Sequence, residues 1–351
     1  MTLEEVAREA QVSIATASRV LNGSDRRVRA DNERRVLEAA ERLGYAVNVA
    51  AQTTARGHGG GIALLAKDIA DGYFSPIASG VLRAAEEADL ILTMGSTSGQ
   101  GSRALRMLAN LRGHRPRAII VAGSRTTDDR STDQLVRALQ QYEEDGGRVV
   151  VISQPGLPFD TLSVENVSAG RDLALALHGL GYRRFAILAG PSNVLTARDR
   201  TRGVTEALGE LGIEVPVSNV ISCPMTRDGG YAAAGELLTR HADAEVVIGV
   251  HDSMAVGALA RFREASATLP VGLGVAGFDD IPTLRDVTPA LTTVNLPWNQ
   301  VGRRALDLAL TDQGPDRVDE IFRGHVIVRQ STPALQGVMA TPSGHPEVSL
   351  A

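Results

Sequence analysis

Val6-Ala7-Arg8-Glu9-Ala10-Gln11-Val12-Ser13-Ile14-Ala15-Thr16-Ala17-Ser18-Arg19-Val20-Leu21-Asn22 decides the fold of the N-terminal end. Leu3, Val6, Ala7 and Ala10 recur at helical spacing, and Gln11-Val12-Ser13 breaks the pattern. Just upstream, Thr2-Leu3-Glu4-Glu5 has the form of a capping box, in which the Thr hydroxyl and the Glu carboxylate satisfy free N–H groups at a helix start. Ser13 is a suitable N-cap for a second helix, Ile14 to Asn22, with Ala17, Val20 and Leu21 inward and Asn22-Gly23-Ser24 ending it. A third helix is expected from about Asp31 to Leu43, closed by Gly44. Two short helices joined by a tight turn form a helix-turn-helix, which lays its second helix in the DNA major groove. On that helix Ser13, Thr16, Ser18 and Asn22 are short polar groups suited to phosphate oxygens. Ile14 and Ala15 offer apolar contact to a thymine methyl, and Arg19 can pair bidentately with guanine.

Downstream the rhythm changes. The stretch from Gly57 to Gly61 is glycine-rich and reads as a linker. Apolar strand candidates then alternate with amphipathic helices. The first series is Ile62–Ala66, Leu90–Met94, Ala118–Val121 and Val149–Ile152; the second is Phe185–Ala189, Val220–Cys223, Val246–Val250 and Leu273–Phe278. The intervening helices lie near Ile77–Ala88, Ser102–Leu111, Thr132–Glu144, Ala169–Leu180, Arg198–Leu211, Gly229–His241 and Ser253–Glu264, and a late helix, Trp298–Leu310, crosses back. Such alternation predicts an α/β core of two doubly wound parallel-sheet subdomains, each near five strands, with a cleft between them. The expected division is a helix-turn-helix domain over 1–46, a hinge over 47–57 and a core over 58–335. Within the core, one subdomain takes about 60–157 plus 291–322 and the other about 158–290 plus 323–335. The tail 336–351, polar with Pro342 and Pro346, is expected to be disordered.

Composition narrows the classes. With 351 residues, 43% of them hydrophobic, the chain can bury more than one core. Cys223 is the single cysteine, which excludes an internal disulfide and a cysteine-based zinc site. No apolar run approaches the ~20 residues that span a bilayer, and Met1-Thr2-Leu3-Glu4-Glu5 lacks a signal-peptide pattern. A cytoplasmic protein, acting at the nucleoid, is expected. The formal charge is −5, but residues 1–57 hold nine arginines against eight acids, with Arg19, Arg26, Arg27 and Arg29 clustered, so the acidic body carries a small basic face. Lys67 is the only lysine. Gly272-Leu273-Gly274-Val275-Ala276-Gly277 fits the dinucleotide pattern literally, but its apolar residues are the strand itself and no helix follows directly. The seven histidines are scattered without metal-ligand spacing, so neither a metal nor a cofactor is expected.

The quoted stretch, together with Ala39-Ala40-Glu41-Arg42-Leu43-Gly44-Tyr45, resembles the signature of the lac repressor (LacI/GalR) family, and the two-subdomain core extends the resemblance along the chain. The resemblance implies a homodimeric transcription regulator, most simply a repressor. It would bind a pseudo-palindromic operator and be controlled allosterically by a small molecule, a sugar, through a periplasmic-binding-protein-like core. It implies that Ile14, Ala15 and Arg19 read bases while Ser13, Thr16, Ser18 and Asn22 hold phosphates. It also implies effector contacts from Tyr73 and Phe74 after the first strand, Asn166, Arg200, His251, Asp279 and Trp298. Arg donates and Asp accepts in charge-assisted bonds to hydroxyls, while an indole packs a sugar ring. The chain departs from the family in four places. Gln11 replaces a turn glycine, Val47 replaces a proline, and His251 stands where an asparagine is usual. Thr54 stands where a leucine wedge enters the minor groove, so weaker central kinking is expected, with Arg56 adding minor-groove contact. No leucine heptads follow the core, so a tetramerising tail is not expected.

Two other classes share parts of this pattern. A sugar-binding protein of the periplasmic type has the same cleft, but not the first 57 residues. An α/β enzyme would need a convergent acid–base or nucleophile set, which the sequence does not show.

Overall fold

Thr2 caps the first helix, α1 (Leu3–Glu9), in both directions: its N–H donates to Glu5 Oε2 at 2.7 Å and its Oγ1 accepts from Glu5 N at 3.3 Å. Ser13 Oγ accepts from Thr16 N at 3.1 Å and so caps α2 (Ile14–Leu21). Gly44, at φ +57°, closes α3 (Ala30–Leu43). Gln11 takes the left-handed conformation at φ +53°, a cost of roughly 1–2 kcal/mol for a residue with a Cβ. Val6, Ala7, Ala10, Ala17, Val36, Ala39 and Ala40 form the small core that holds the three helices.

The computed structural model describes residues 1–21, 28–45, 61–69, 71–97, 101–240, 242–265, 273–311, 314 and 316–335. Asn22, the hinge stretch with Thr54 and Arg56, and the tail 336–351 lie outside the described residues. Two compact units emerge: Met1–Gly61 with Leu111–Arg117, and the remainder.

The larger unit holds two main sheets. The first has the order β11-β5-β4-β3-β1-β2, from β1 (Gly61–Ala66), β2 (Ile91–Ser96), β3 (Ala118–Ala122), β4 (Arg148–Ile152), β5 (Asp160–Val164) and β11 (Asp319–Phe322). The second is β7-β6-β8-β9, from β6 (Phe185–Ala189), β7 (Val220–Ser222), β8 (Val246–Gly249) and β9 (Gly274–Ala276), with parallel pairing throughout. A two-stranded antiparallel ladder of β10 (Thr293–Asn295) and β12 (His325–Ile327) adjoins the end of β9, where Gly277 N donates to Thr292 O at 2.8 Å. The six-and-four division replaces the expected five and five. Because β5 pairs with β4 and β11, the first subdomain runs to Val164 instead of 157. Asp160 explains why β5 was illegible. This nearly fully buried carboxylate pairs with Arg148 at 2.6 Å and accepts from Val318 N at 2.9 Å, so a polar segment is satisfied inside the sheet.

The helices are α4 (Phe74–Glu87), α5 (Gly101–His114), α6 (Asp129–Glu144), α7 (Asn166–Gly179), α8 (Leu195–Glu210), α9 (Arg227–Thr239), α10 (Asp252–Glu264) and α11 (Trp298–Leu310). α4 packs on α11, α7 on α8 and α9 on α10. Strands such as β6 and β8 are buried along their whole length, as parallel strands covered on both faces must be. Register then aligns the strand ends. Ala66 pairs with Ala122, and Ala122 with Ile152, so Lys67, Gly123 and Ser153 emerge together. Leu188 pairs with Gly249, and Ile248 with Ala276, so Gly190, His251 and Asp279 do the same in the second sheet.

Candidate ligand cleft and nucleic-acid interface

A cleft of about 290 Å³ opens at these carboxyl ends, where doubly wound sheets bind ligands. Arg200 anchors it. Its side chain is 2% exposed. Nε donates to Asn166 Oδ1 at 2.9 Å, Nη1 to Val250 O at 2.9 Å, and the Nη pair to Asp279 at 2.7 and 3.0 Å. The guanidinium also stacks 4.0 Å above the Phe278 ring. Arginine has five N–H donors, so this arrangement leaves one Nη2–H for a ligand.

Asp279 is held under strain. It has φ +114° and Asp280 follows at φ +54°, consecutive left-handed residues with side chains, each costing of order 1–3 kcal/mol. The surroundings enforce the geometry. Asp279 N donates to Val294 O at 2.9 Å, Ile281 N to Asp252 Oδ2 at 2.9 Å, and Arg329 pairs with Asp280 at 2.6 Å. Asp252, fully buried, also accepts from Thr293 Oγ1 at 2.7 Å. Burial and the nearby Asp279 charge push its pKa up to about 7.

His251 caps α10: its Nδ1 accepts from Ser253 N at 3.2 Å. The neutral ring therefore carries its proton on Nε2, which lies 2.9 Å from Asp71 Oδ1 and 3.3 Å from Asp279 Oδ2. Asp71 follows the first strand, so this contact crosses the cleft. Burial lowers the imidazole pKa, but the Asp279 and Asp71 carboxylates outweigh it and the net shift is upward. A second crossing joins the opposite rim. Gln154 Nε2 donates to Thr196 Oγ1 at 2.7 Å, Thr196 N to Ser124 Oγ at 3.1 Å, and Thr127 N to Asn193 O at 2.9 Å.

Tyr73 and Trp298 supply the aromatic wall, with ring centroids 5.4 Å apart. Trp298 is 7% exposed, yet its indole Nε1–H is buried without an acceptor. The structure thus brings Tyr73, Asn166, Arg200, His251, Asp279 and Trp298 into one cleft. Phe74 is not among its lining residues; as the first residue of α4, it is buried in the core beside Ile77. Sequence reasoning missed Lys67, Asp71, Ser124, Gln154 and Thr196. All follow strand ends or begin a helix, and the rule that ligands sit at strand carboxyl ends would have found four of them.

In the smaller unit, α2 buries Ala17 and exposes Ser13, Ile14, Ala15 and Arg19, with Thr16 and Ser18 half-buried. Ile14 is 49% exposed, so its side chain is open to apolar contact. Ser13 Oγ and Thr16 Oγ1 share one hydrogen bond at 2.8 Å, leaving one O–H of the pair to donate outward.

Comparison with known proteins covers both units of the chain. The family described as bacterial regulatory proteins, lacI family, matches residues 2–48, and a periplasmic binding protein-like domain matches 174–332. The HTH-type transcriptional regulator GalS of Salmonella typhimurium is 31% identical over 312 residues, covering 88% of this chain and 89% of the relative. The solved complex of the transcriptional regulator CelR with cellobiose is 29% identical with a TM-score of 0.68, covering 94% of this chain and 99% of that one. The lac repressor dimer bound to operator and the anti-inducer ONPF has the same fold, with a TM-score of 0.81 at 21% identity over 95% of this chain and 99% of that one. The chain belongs to the lacI family of bacterial regulatory proteins and is a DNA-binding transcriptional regulator.

Proposed function

We propose that this regulator is a homodimeric repressor, acting at the nucleoid in the cytoplasm, whose operator affinity is set by a sugar bound in the cleft. The observation that carries the effector reading is the buried, unpartnered indole N–H of Trp298, lining the same cleft as the Arg200–Asp279 pair. An orphaned buried donor costs about 1–3 kcal/mol unless a ligand supplies an acceptor. A sugar does so while its hydroxyls meet Asp279, Asn166 and Arg200 and its apolar ring face meets the Tyr73–Trp298 wall. Arg200 and Asp279 hold one another in place and keep one Nη2–H and the remaining carboxylate lone pairs for the ligand. The CelR–cellobiose complex supports the same ligand class.

On DNA, Ile14, Ala15 and Arg19 face base edges while Ser13, Thr16 and Ser18 meet phosphates. Two chains place two such helices on successive half-sites. Support for the dimer comes from β2, an edge strand that exposes Ile91 at 66% and Met94 at 47%, while α4, which packs on β2, exposes Leu82 at 45%. An apolar uncovered edge invites pairing, and a second copy covers it.

The test joins both sites. A randomised duplex pool selects the operator, and gel shift then follows its release as sugars are titrated, with Trp298 emission reporting occupancy. A sugar that saturates the emission change and shifts DNA affinity roughly 5- to 150-fold in either direction is the expected result. Saturation with no change in DNA affinity would remove the allosteric reading.

A further inference from the structure

We propose that the effector is an acidic sugar, of the uronic or aldonic acid class, whose carboxylate is held by Lys67. The proposal rests on the reading of the cleft as a sugar site and names the ligand class within it.

Lys67 is the only lysine of the chain, and its backbone is fixed at the end of β1. Its N–H donates to Ala122 O at 3.1 Å and its carbonyl accepts from Thr97 Oγ1 at 3.3 Å. Its stem lies over Gly123, where an added Cβ would come within 3.0 Å of Lys67 Cβ. The half-buried side chain lines the cleft. The other charges there have neighbours of their own. Arg200 and Asp279 form a two-bond pair, His251 sits 2.9 Å from Asp71, and the exposed Asp68 has an interaction of its own. Among the described residues no ion pair forms on Lys67; Asp71 acts on it only at longer range, and burial holds its pKa below the usual value. A desolvated ammonium without a partner is unfavourable, and a ligand carboxylate removes that penalty.

The cleft selects the kind of anion. A dianionic phosphate would bring a second negative charge that one lysine does not offset, beside the Asp68 and Asp71 carboxylates. A carboxylate brings one charge to Lys67, which has no ion pair among the described residues. The volume, about 290 Å³, sits at the small end of ligand pockets and suits a single sugar ring or its open-chain acid.

The experiment titrates the full chain, by calorimetry and by Trp298 emission, with matched pairs: glucuronate against glucose, galacturonate against galactose, gluconate against sorbitol, and glucose 6-phosphate. At least one acid is expected to bind tenfold or more tighter than its neutral counterpart. Lys67→Met should cut that ratio roughly tenfold or more, as losing one charge-assisted hydrogen bond does, while Lys67→Arg keeps most of it and shows that the site still folds. Neutral sugars binding as tightly as their acids, or a ratio unchanged in Lys67→Met, overturns the proposal and leaves the sugar reading standing. Tighter binding of glucose 6-phosphate overturns it in favour of phosphate. Heat without a change in Trp298 emission also overturns it, because Lys67 borders a second cavity lined by Leu65, Val121, Leu135 and Phe159. If no carbohydrate binds, both readings fail.

Discussion

Arg200 and Asp279 are paired at 2.7 Å with both side chains almost wholly out of solvent, so neither tolerates loss of the other. Arg200→Met should strand Asp279 and Asn166 and cost about 3–5 kcal/mol, read as a fall in melting temperature by calorimetry. A variant as stable as the parent would show that the pair is relaxed in solution. The titrating neighbours give stability a pH slope. For Asp252 the folded pKa, about 7, lies above the ordinary 3.8. Its contribution is therefore full below 3.8 and is lost as pH rises through about 7. His251 is raised above 6.5, so its contribution is full below 6.5 and lost as pH rises through its folded value. Both slopes have the same sign. Melting temperature should fall as pH climbs through neutrality, Asp252→Asn should flatten the part below about 7, and His251→Gln the part above 6.5. A melting temperature that rises over that range would contradict this assignment.

At the scale of elements, the cleft depends on how closely helices cross. Gly170 of α7 and Gly203 of α8 face one another's partner backbone: a Cβ on Gly203 would overlap Val167 O, and one on Gly170 would overlap Arg200 O. The same reciprocal arrangement joins Gly80 to α11 and Gly302 to α4, and Gly230 to α10 and Gly257 to α9. Gly203→Ala should thus separate α7 from α8, which carry Asn166 and Arg200, and cost about 1–3 kcal/mol, seen as a lower denaturant midpoint together with weaker effector binding. Equal stability with unchanged binding would mean that the seam yields freely. In the headpiece, Arg19→Ala should lower operator affinity by about 1–3 kcal/mol and relax the preference at one base pair, whereas Ser13→Ala should weaken binding evenly across sequences. Helical periodicity made these helices legible with ends shifted by a few residues. β10, β11 and β12 are not, because mixed polar segments such as Asp319-Glu320-Ile321-Phe322 lack a continuous apolar run and are fixed by their neighbours rather than by their own pattern.

For the whole molecule, the exposed β2 edge makes dimerisation testable without DNA. Ile91→Glu with Met94→Glu should shift sedimentation from dimer to monomer and weaken binding to a two-half-site operator, while sugar binding persists. A double variant that still sediments as a dimer would place the interface elsewhere. Removing residues 1–60 should abolish DNA binding and leave the Trp298 response intact, since the cleft is built entirely from the larger unit.

The sequence by itself determined the helix-turn-helix and the alternation of strands and helices. Those depend on local information: the Thr2 and Ser13 caps, the spacing of Val6, Ala10 and Ala17, and buried runs such as Phe185–Ala189. It also pointed to Arg200, Asp279 and Trp298, because their motifs resemble a family pattern. Only the tertiary structure decided which charges meet. Asp71 reaches His251 across the cleft, Asp160 is matched by Arg148 from the adjacent strand, and Lys67 forms no ion pair among the described residues. Such pairings follow from sheet register and from subdomains meeting across residues far apart in the chain, and no local spacing encodes them.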